Sequence, residues 1–238
     1  MSASFFRTLA RAAAQRYEAR DRYARHFAFG KLTRDPAFRH LLQHGLLPPG
    51  GSLLDLGCGQ GVLAALLLAA QERHAQGEWP AAWAPPPNPR AIRGIDLMAR
   101  DVERARRASG GTAQFLTGDI RSTDFGDADA VVILDVLHYV DFHAQDAVLA
   151  RVRATLANGG LLLLRVADAS PSWRFRMTVA VDRAAMALRG HRFERLWCRS
   201  LDEWKRRLAE LGFDVRATPM SDGTPFANVL LVARYDRR

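Results

Sequence analysis

The stretch LLDLGCGQG, residues 53–61, decides the fold. Its apolar start predicts a strand, and Gly57, Gly59 and Gly61 predict a tight turn leading into an apolar helix over 60–72. Turns of this kind often hold a phosphate at the helix N-terminus. Asp55, two residues before the first glycine, disfavours that ligand by charge. The dinucleotide-binding fingerprint also requires a third glycine where this chain has Val62.

Outward from the turn, strands and helices alternate. Strands are predicted at 91–96 (AIRGID), 114–119 (QFLTGD), 128–137 (ADAVVILDVL) and 161–167 (LLLLRVA), with helices over 99–108 and 141–156. Asn158-Gly159-Gly160 reads as the turn before the fifth strand. That alternation implies an α/β protein with a parallel sheet and helices on both faces. FDVRATPM and NVLLVARY, near the C-terminus, read as a closing antiparallel pair. Ser200 and Glu203 form a capping-box pattern for the helix before that pair.

Two segments frame this core. Residues 1–46 read as an N-terminal helical cap. Apolar residues from Phe5 to Phe27 predict one unbroken helical pattern over 4–29, and Asp35-Pro36 opens a further helix that Gly45 ends. Residues 47–238 form the main domain, with a proline-rich insertion at 77–90 (GEWPAAWAPPPNPR) and a helical lid at 168–199. The insertion reads as a tolerated surface loop, with a partner contact through Trp79 and Trp83 as the less favoured alternative.

Composition narrows the class. The 238 residues carry a net charge of +9, almost wholly from arginine, since Lys31 and Lys205 are the only lysines. The bland source is codon preference; the alternative is an acidic partner. Cys58 and Cys198 lack metal-ligand spacing, and no secretory pattern or bilayer-length apolar run is present, so a cytoplasmic location is expected. Peripheral membrane contact by the basic N-terminal helix stays open.

The predicted strand ends carry Asp55, Asp96, Asp119 and Asp135. Carboxylates around one site repel a pyrophosphate and suit a ligand with cationic and hydroxyl-rich parts. S-adenosylmethionine has that character. Asp55 favours its cationic methionine end, Asp96 accepts the ribose hydroxyls, and Asp119 accepts from the adenine amino group with Ile120 against the ring.

LLDLGCGQG, GIDLM (94–98), TGDI (117–120), AVVILDVLHYV (130–140) and LANGGLLLLR (156–165) together resemble the class I S-adenosylmethionine-dependent methyltransferases. The resemblance covers about 50–168 plus the C-terminal pair. It implies a Rossmann-like, seven-stranded, mostly parallel sheet whose last strand is antiparallel, and S-adenosyl-L-methionine as cofactor. The implied cofactor-binding set is Asp55, Gly57, Cys58, Gly59, Gly61, Asp96, Leu97, Asp119, Ile120, Asp135 and Val136, with no metal.

For the acceptor, His138 just past strand four is the candidate catalytic base; its alternative is a structural histidine. Phe27, Phe29, Trp173, Arg174, Phe175, Arg176, His191, Arg192 and Phe193 suit an aromatic or acyl acid, free or on an acidic acyl carrier protein. FAFGKL, LDVLHYVD and GTPFANVLLVAR are similar to methyltransferases encoded with bacterial aryl polyene pigment pathways. The expected function is therefore methyl transfer to a hydroxyaryl or polyketide-like acid in secondary metabolism. The alternatives are an RNA methyltransferase, with nucleic acid the less favoured partner, and a non-catalytic binding subunit.

Overall fold

A computed structural model describes residues 2–188 and 196–236. The strands form one sheet in the order β3-β2-β1-β4-β5-β7-β6. They are β1 (Ser52–Leu56), β2 (Ala91–Asp96), β3 (Gln114–Thr117), β4 (Ala128–Leu134), β5 (Leu156–Ala167), β6 (Phe213–Pro219) and β7 (Asn228–Tyr235). β1, β2 and β3 pair in parallel, and β7 runs antiparallel to both β5 and β6. The expected α/β sheet is borne out. The chain divides into two compact units that meet at residues 132 and 133.

The first unit contains α1 (Ser2–Gln15), α2 (Arg22–Arg34), α3 (Pro36–Gln43), α4 (Val62–Ala75) and α5 (Ala99–Ser109). Val62 through Leu67, with Ala69 and Ala70, are buried on α4, so its apolar surface extends all round and makes it a core helix. Leu9, Ala10 and Ala13 of α1 are wholly buried, a helical stripe.

The N-terminal pattern expected over 4–29 is broken between Gln15 and Arg22. The cause is Asp21, whose carboxylate caps α2 by accepting from Ala24 N at 3.0 Å. The same carboxylate accepts from Arg104 Nε of α5 at 2.7 Å. A cap and a charge-assisted bond together outweigh a weak periodic signal.

The 77–90 insertion is packed. Phe5, Trp79 and Trp83 meet edge to face, with centroid separations of 5.5, 5.5 and 5.7 Å, and Trp83 is 5% exposed. Trp79 Nε1 donates to Ala84 O at 2.9 Å. The tryptophans thus fasten the segment to α1, which corrects the partner-contact reading of them, while residues 77, 78, 81, 82, 85, 88 and 90 are exposed as a surface insertion requires.

The second unit contains a short 3-10 turn (Leu137–Tyr139), α6 (Phe142–Thr155), α7 (Trp173–Leu188) and α8 (Leu201–Glu210). β5 starts directly after α6, and the expected Asn158–Gly160 turn lies inside the strand, with Gly159 at φ 79°. Pairing with β7 begins only at Leu161. α8 carries the expected capping box between Ser200 and Glu203. His191, Arg192 and Phe193 of the expected lid fall outside the described residues. Among the described residues no helix is long and apolar enough to cross a membrane.

Candidate functional site

β1 delivers the glycine turn, and β2 holds it. Gly57 N and Cys58 N both donate to Ile95 O, at 2.8 and 3.2 Å. Gly59 N donates to Asp96 Oδ2 at 2.8 Å, and Gly61 N donates back to Cys58 O at 2.9 Å. All three glycines have positive φ, at 74°, 52° and 75°. They are needed for different reasons. A β-carbon on Gly61 would lie 2.8 Å from Ala105 Cβ and 3.1 Å from Phe115, so this glycine permits close packing of α4 on its neighbours. A β-carbon on Gly59 would meet nothing within 4 Å. Gly59 therefore keeps open a space that a ligand can enter against bare backbone.

Asp55 and Asp96 belong together. Asp55 is 6% exposed, and burial followed by repulsion from Asp96 lifts its pKa from 3.8 to about 7. Asp96 Oδ1 accepts from Met98 N at 2.9 Å while Oδ2 holds Gly59, so one carboxylate fixes two loops. Leu97 between them is 60% exposed, and Cys58 is buried with its thiol pKa pushed up by burial.

Asp119 is differently engaged. Arg121 Nε and Nη2 lie 2.9 and 2.6 Å from its Oδ2, and these bonds, led by the side-chain hydrogen bond, hold its pKa below the usual value. The predicted adenine acceptor thus carries its own guanidinium. Ile120 beside it is buried.

Sequence reasoning missed the support behind the loop. Tyr17 Oη donates to Gln60 O at 2.9 Å, and Gln60 Nε2 donates to Ala24 O at 2.8 Å. Burial raises the Tyr17 pKa, which keeps the hydroxyl a donor. The α1–α2 link and α2 are thereby bonded to the middle of the GCGQG turn. The only signal was a glutamine inside a glycine motif.

In the second unit, Asp135 sits at φ 61°, the one non-glycine residue at positive φ among those described. Its carboxylate pairs with Arg165 of β5, Nε to Oδ1 at 2.8 Å, and Arg165 is 1% exposed. The four strand-end carboxylates are therefore unequal: Asp119 and Asp135 each face an arginine. Val136 follows at φ −118° and caps the 3-10 turn. His138 is 7% exposed, its carbonyl accepts from Trp197 N at 2.9 Å, and its ring lies 4.1 Å from that of Tyr139. Arg174, expected among acceptor-facing residues, donates to Ser221 O and Thr224 O at 3.3 and 3.1 Å. Among the described residues no cluster of three His, Cys, Asp or Glu could hold a metal ion.

A family model described as a methyltransferase domain matches residues 20–218. A carboxy-S-adenosyl-L-methionine synthase of Chromohalobacter salexigens is 31% identical over 120 residues, which is 48% of this chain and 39% of that protein. Magnesium protoporphyrin IX methyltransferase of Synechocystis PCC 6803, solved with bound SAH, superposes with a TM-score of 0.58 at 20% identity, covering 92% of this chain and 90% of that one. Human N-acetylserotonin methyltransferase, solved with SAM, gives 0.60 at 17% identity over 89% of this chain and 54% of that one.

Proposed function

We propose, from the premise that this chain belongs to the methyltransferase-domain family, that it methylates a small molecule, a hydroxyaryl or polyketide-like acid. The enzyme class and the S-adenosylmethionine donor follow from the family. The acceptor is our reading. The observation that carries the cofactor half is the open face of Gly59, bonded to Asp96 and backed by buried Asp55. This site has a bare-backbone approach and two acidic groups, which fits a cationic nucleoside and opposes a pyrophosphate.

When bound, the donor supplies an electrophilic methyl group and a thioether leaving group. The chain's residues orient and neutralise. Asp96 offers its carboxylate to ribose hydroxyls while its backbone bonds hold it still. Asp55 favours the ammonium end, and Ile120 lies against the base in this assignment. Both Asp119 oxygens accept from Arg121, so in this assignment the adenine amino group shares that carboxylate with the guanidinium. An in-line displacement needs the acceptor held near the methyl, and such positioning can supply much of the rate. His138 is our candidate for taking the acceptor proton. The 1–46 segment is read as a cap.

Two observations support an aromatic or acyl acceptor. Trp173, Met177 and Val181 of α7 are 57%, 42% and 42% exposed at four-residue spacing, which makes an apolar stripe on one helix face. The two methyltransferases of similar fold are named for small molecules. An acidic acyl carrier protein would suit the chain's net charge of +9.

The test offers hydroxyaryl acids, free and as thioesters on an acyl carrier protein, together with S-adenosylmethionine. Products are read by mass spectrometry. The expected product is heavier than its acceptor by one methylene. Cofactor binding in calorimetry without product from any of these acceptors would sink the acceptor assignment and leave the enzyme class standing.

A further inference from the structure

Half of the sixteen arginines of the first unit have a carboxylate partner among the described residues. Arg16 meets Glu72, Arg73 meets Glu78, Arg104 meets Asp21 and Asp101, and Arg107 meets Glu18 and Glu103. Between α1 and α2 this pattern stops. Arg11 and Gln15 on α1, with Arg22, Arg25, His26 and Phe29 on α2, line an open groove of about 460 Å³. Among the described residues, no carboxylate pairs with Arg11, Arg22 or Arg25.

The arrangement follows from the helical repeat. Positions 22, 25, 26 and 29 share one face of α2, while Ala24 and Ala28 are buried on another. Arg11 and Arg7 also lie 6.0 and 5.4 Å from the centroid of Phe29, so the ring orders the α1 wall. His26 is oriented too, its Nδ1–H donating to Arg22 O at 2.7 Å.

The charge and shape select a ligand class. One carboxylate is matched by the fork of a single guanidinium. Three guanidinium groups on two helices call for more oxygens and more charge, which phosphate and diphosphate groups have. A concave groove suits a compact soluble molecule better than the flat face of a bilayer. We propose that the α1–α2 groove is a second ligand site, for a small molecule carrying a phosphate or diphosphate group. It is distinct from the glycine turn and does not rest on the methyl-transfer reading.

The test uses the full chain and inorganic pyrophosphate in titration calorimetry at low ionic strength. Saturable one-to-one binding is expected. The Arg22→Ala/Arg25→Ala double variant should weaken it by about tenfold or more, since it removes two charge-assisted contacts. Arg11→Ala should weaken it from the opposite wall. Thermal midpoint and S-adenosylmethionine affinity should stay at wild-type values in both variants, which separates a lost contact from a lost fold. If the double alanine variant does not fold, Arg25→Gln reads the same contact. No saturable binding, or binding that these changes leave within about twofold, overturns the proposal. Cosedimentation with phosphatidylglycerol vesicles distinguishes the lipid source: vesicle binding without pyrophosphate binding also overturns it.

Discussion

β2 ends in Asp96 and β4 is followed by Asp135, and the two aspartates do different work. Asp96 is bonded by the N–H groups of Gly59 and Met98, so its charge is fixed in place by backbone dipoles. Asp135 adopts a left-handed backbone and closes an ion pair with Arg165, a guanidinium that is 1% exposed. A strand-end carboxylate is therefore no measure of a site's charge until its partner is known. Backbone donors orient a carboxylate and leave its net charge for a ligand. A buried arginine balances that charge within the protein.

The contrast can be broken from either side. Arg165→Met leaves the Asp135 carboxylate without its guanidinium partner. It should cost about 3 kcal/mol in chemical denaturation, the low end for such pairs because Asp135 retains 27% side-chain exposure. Asp96→Ala should spare much of the stability and lower S-adenosylmethionine affinity by about a hundredfold, as two charge-assisted bonds and the proposed ribose contacts go together. An Asp96→Ala protein that unfolds, beside an Arg165→Met protein of full stability, would invert the assignment.

The glycines sharpen the same distinction on a smaller scale. Gly61→Ala places a methyl 2.8 Å from Ala105 Cβ in a left-handed backbone, so about 2 kcal/mol of stability should be lost. Gly59→Ala meets no protein atom within 4 Å. It should cost about 1 kcal/mol for its backbone and reduce cofactor affinity about tenfold or more by filling the ligand's side of the turn. Thermal melts and calorimetry on both variants separate these outcomes. Equal loss of cofactor affinity from both would mean that the open face of Gly59 is not the ligand's.

The sheet was legible because its signals are local. β2 falls at 91–96 as expected, and β4 reads as a near-continuous apolar run because five of its seven residues are buried. The glycine turn was legible for the same reason. What the sequence hid are contacts between distant residues. The break before α2 depends on Arg104, which lies 83 positions from Asp21. Tyr17 and Gln60 are 43 apart, and the Asp135–Arg165 pair spans 30. The insertion misled because prolines announce a loop but say nothing of what its tryptophans touch. Asp119 and Arg121 are the exception, since a guanidinium two residues away was visible as a competitor for that carboxylate.

Asp55 supplies the smallest expected effect on affinity and the most specific one. Its folded pKa of about 7 lies above the ordinary 3.8, so over that range the folded state keeps a proton that the unfolded state has lost. Stability should therefore fall as pH rises from about 4 to about 7 and level off beyond. A cationic ligand stabilises the carboxylate and reverses the bias, so binding below pH 7 should release a proton. S-adenosylmethionine affinity should then rise about tenfold between pH 6 and pH 8, the span over which a group titrating at 7 changes charge. Calorimetry in two buffers of different ionisation enthalpy reads the proton directly. Asp55→Asn should flatten both profiles and, above pH 7, leave the ligand-free protein more stable than wild type. A pH-independent wild-type affinity would mean that the ligand's positive end lies away from Asp55, and that burial alone, with Asp96, accounts for the raised pKa.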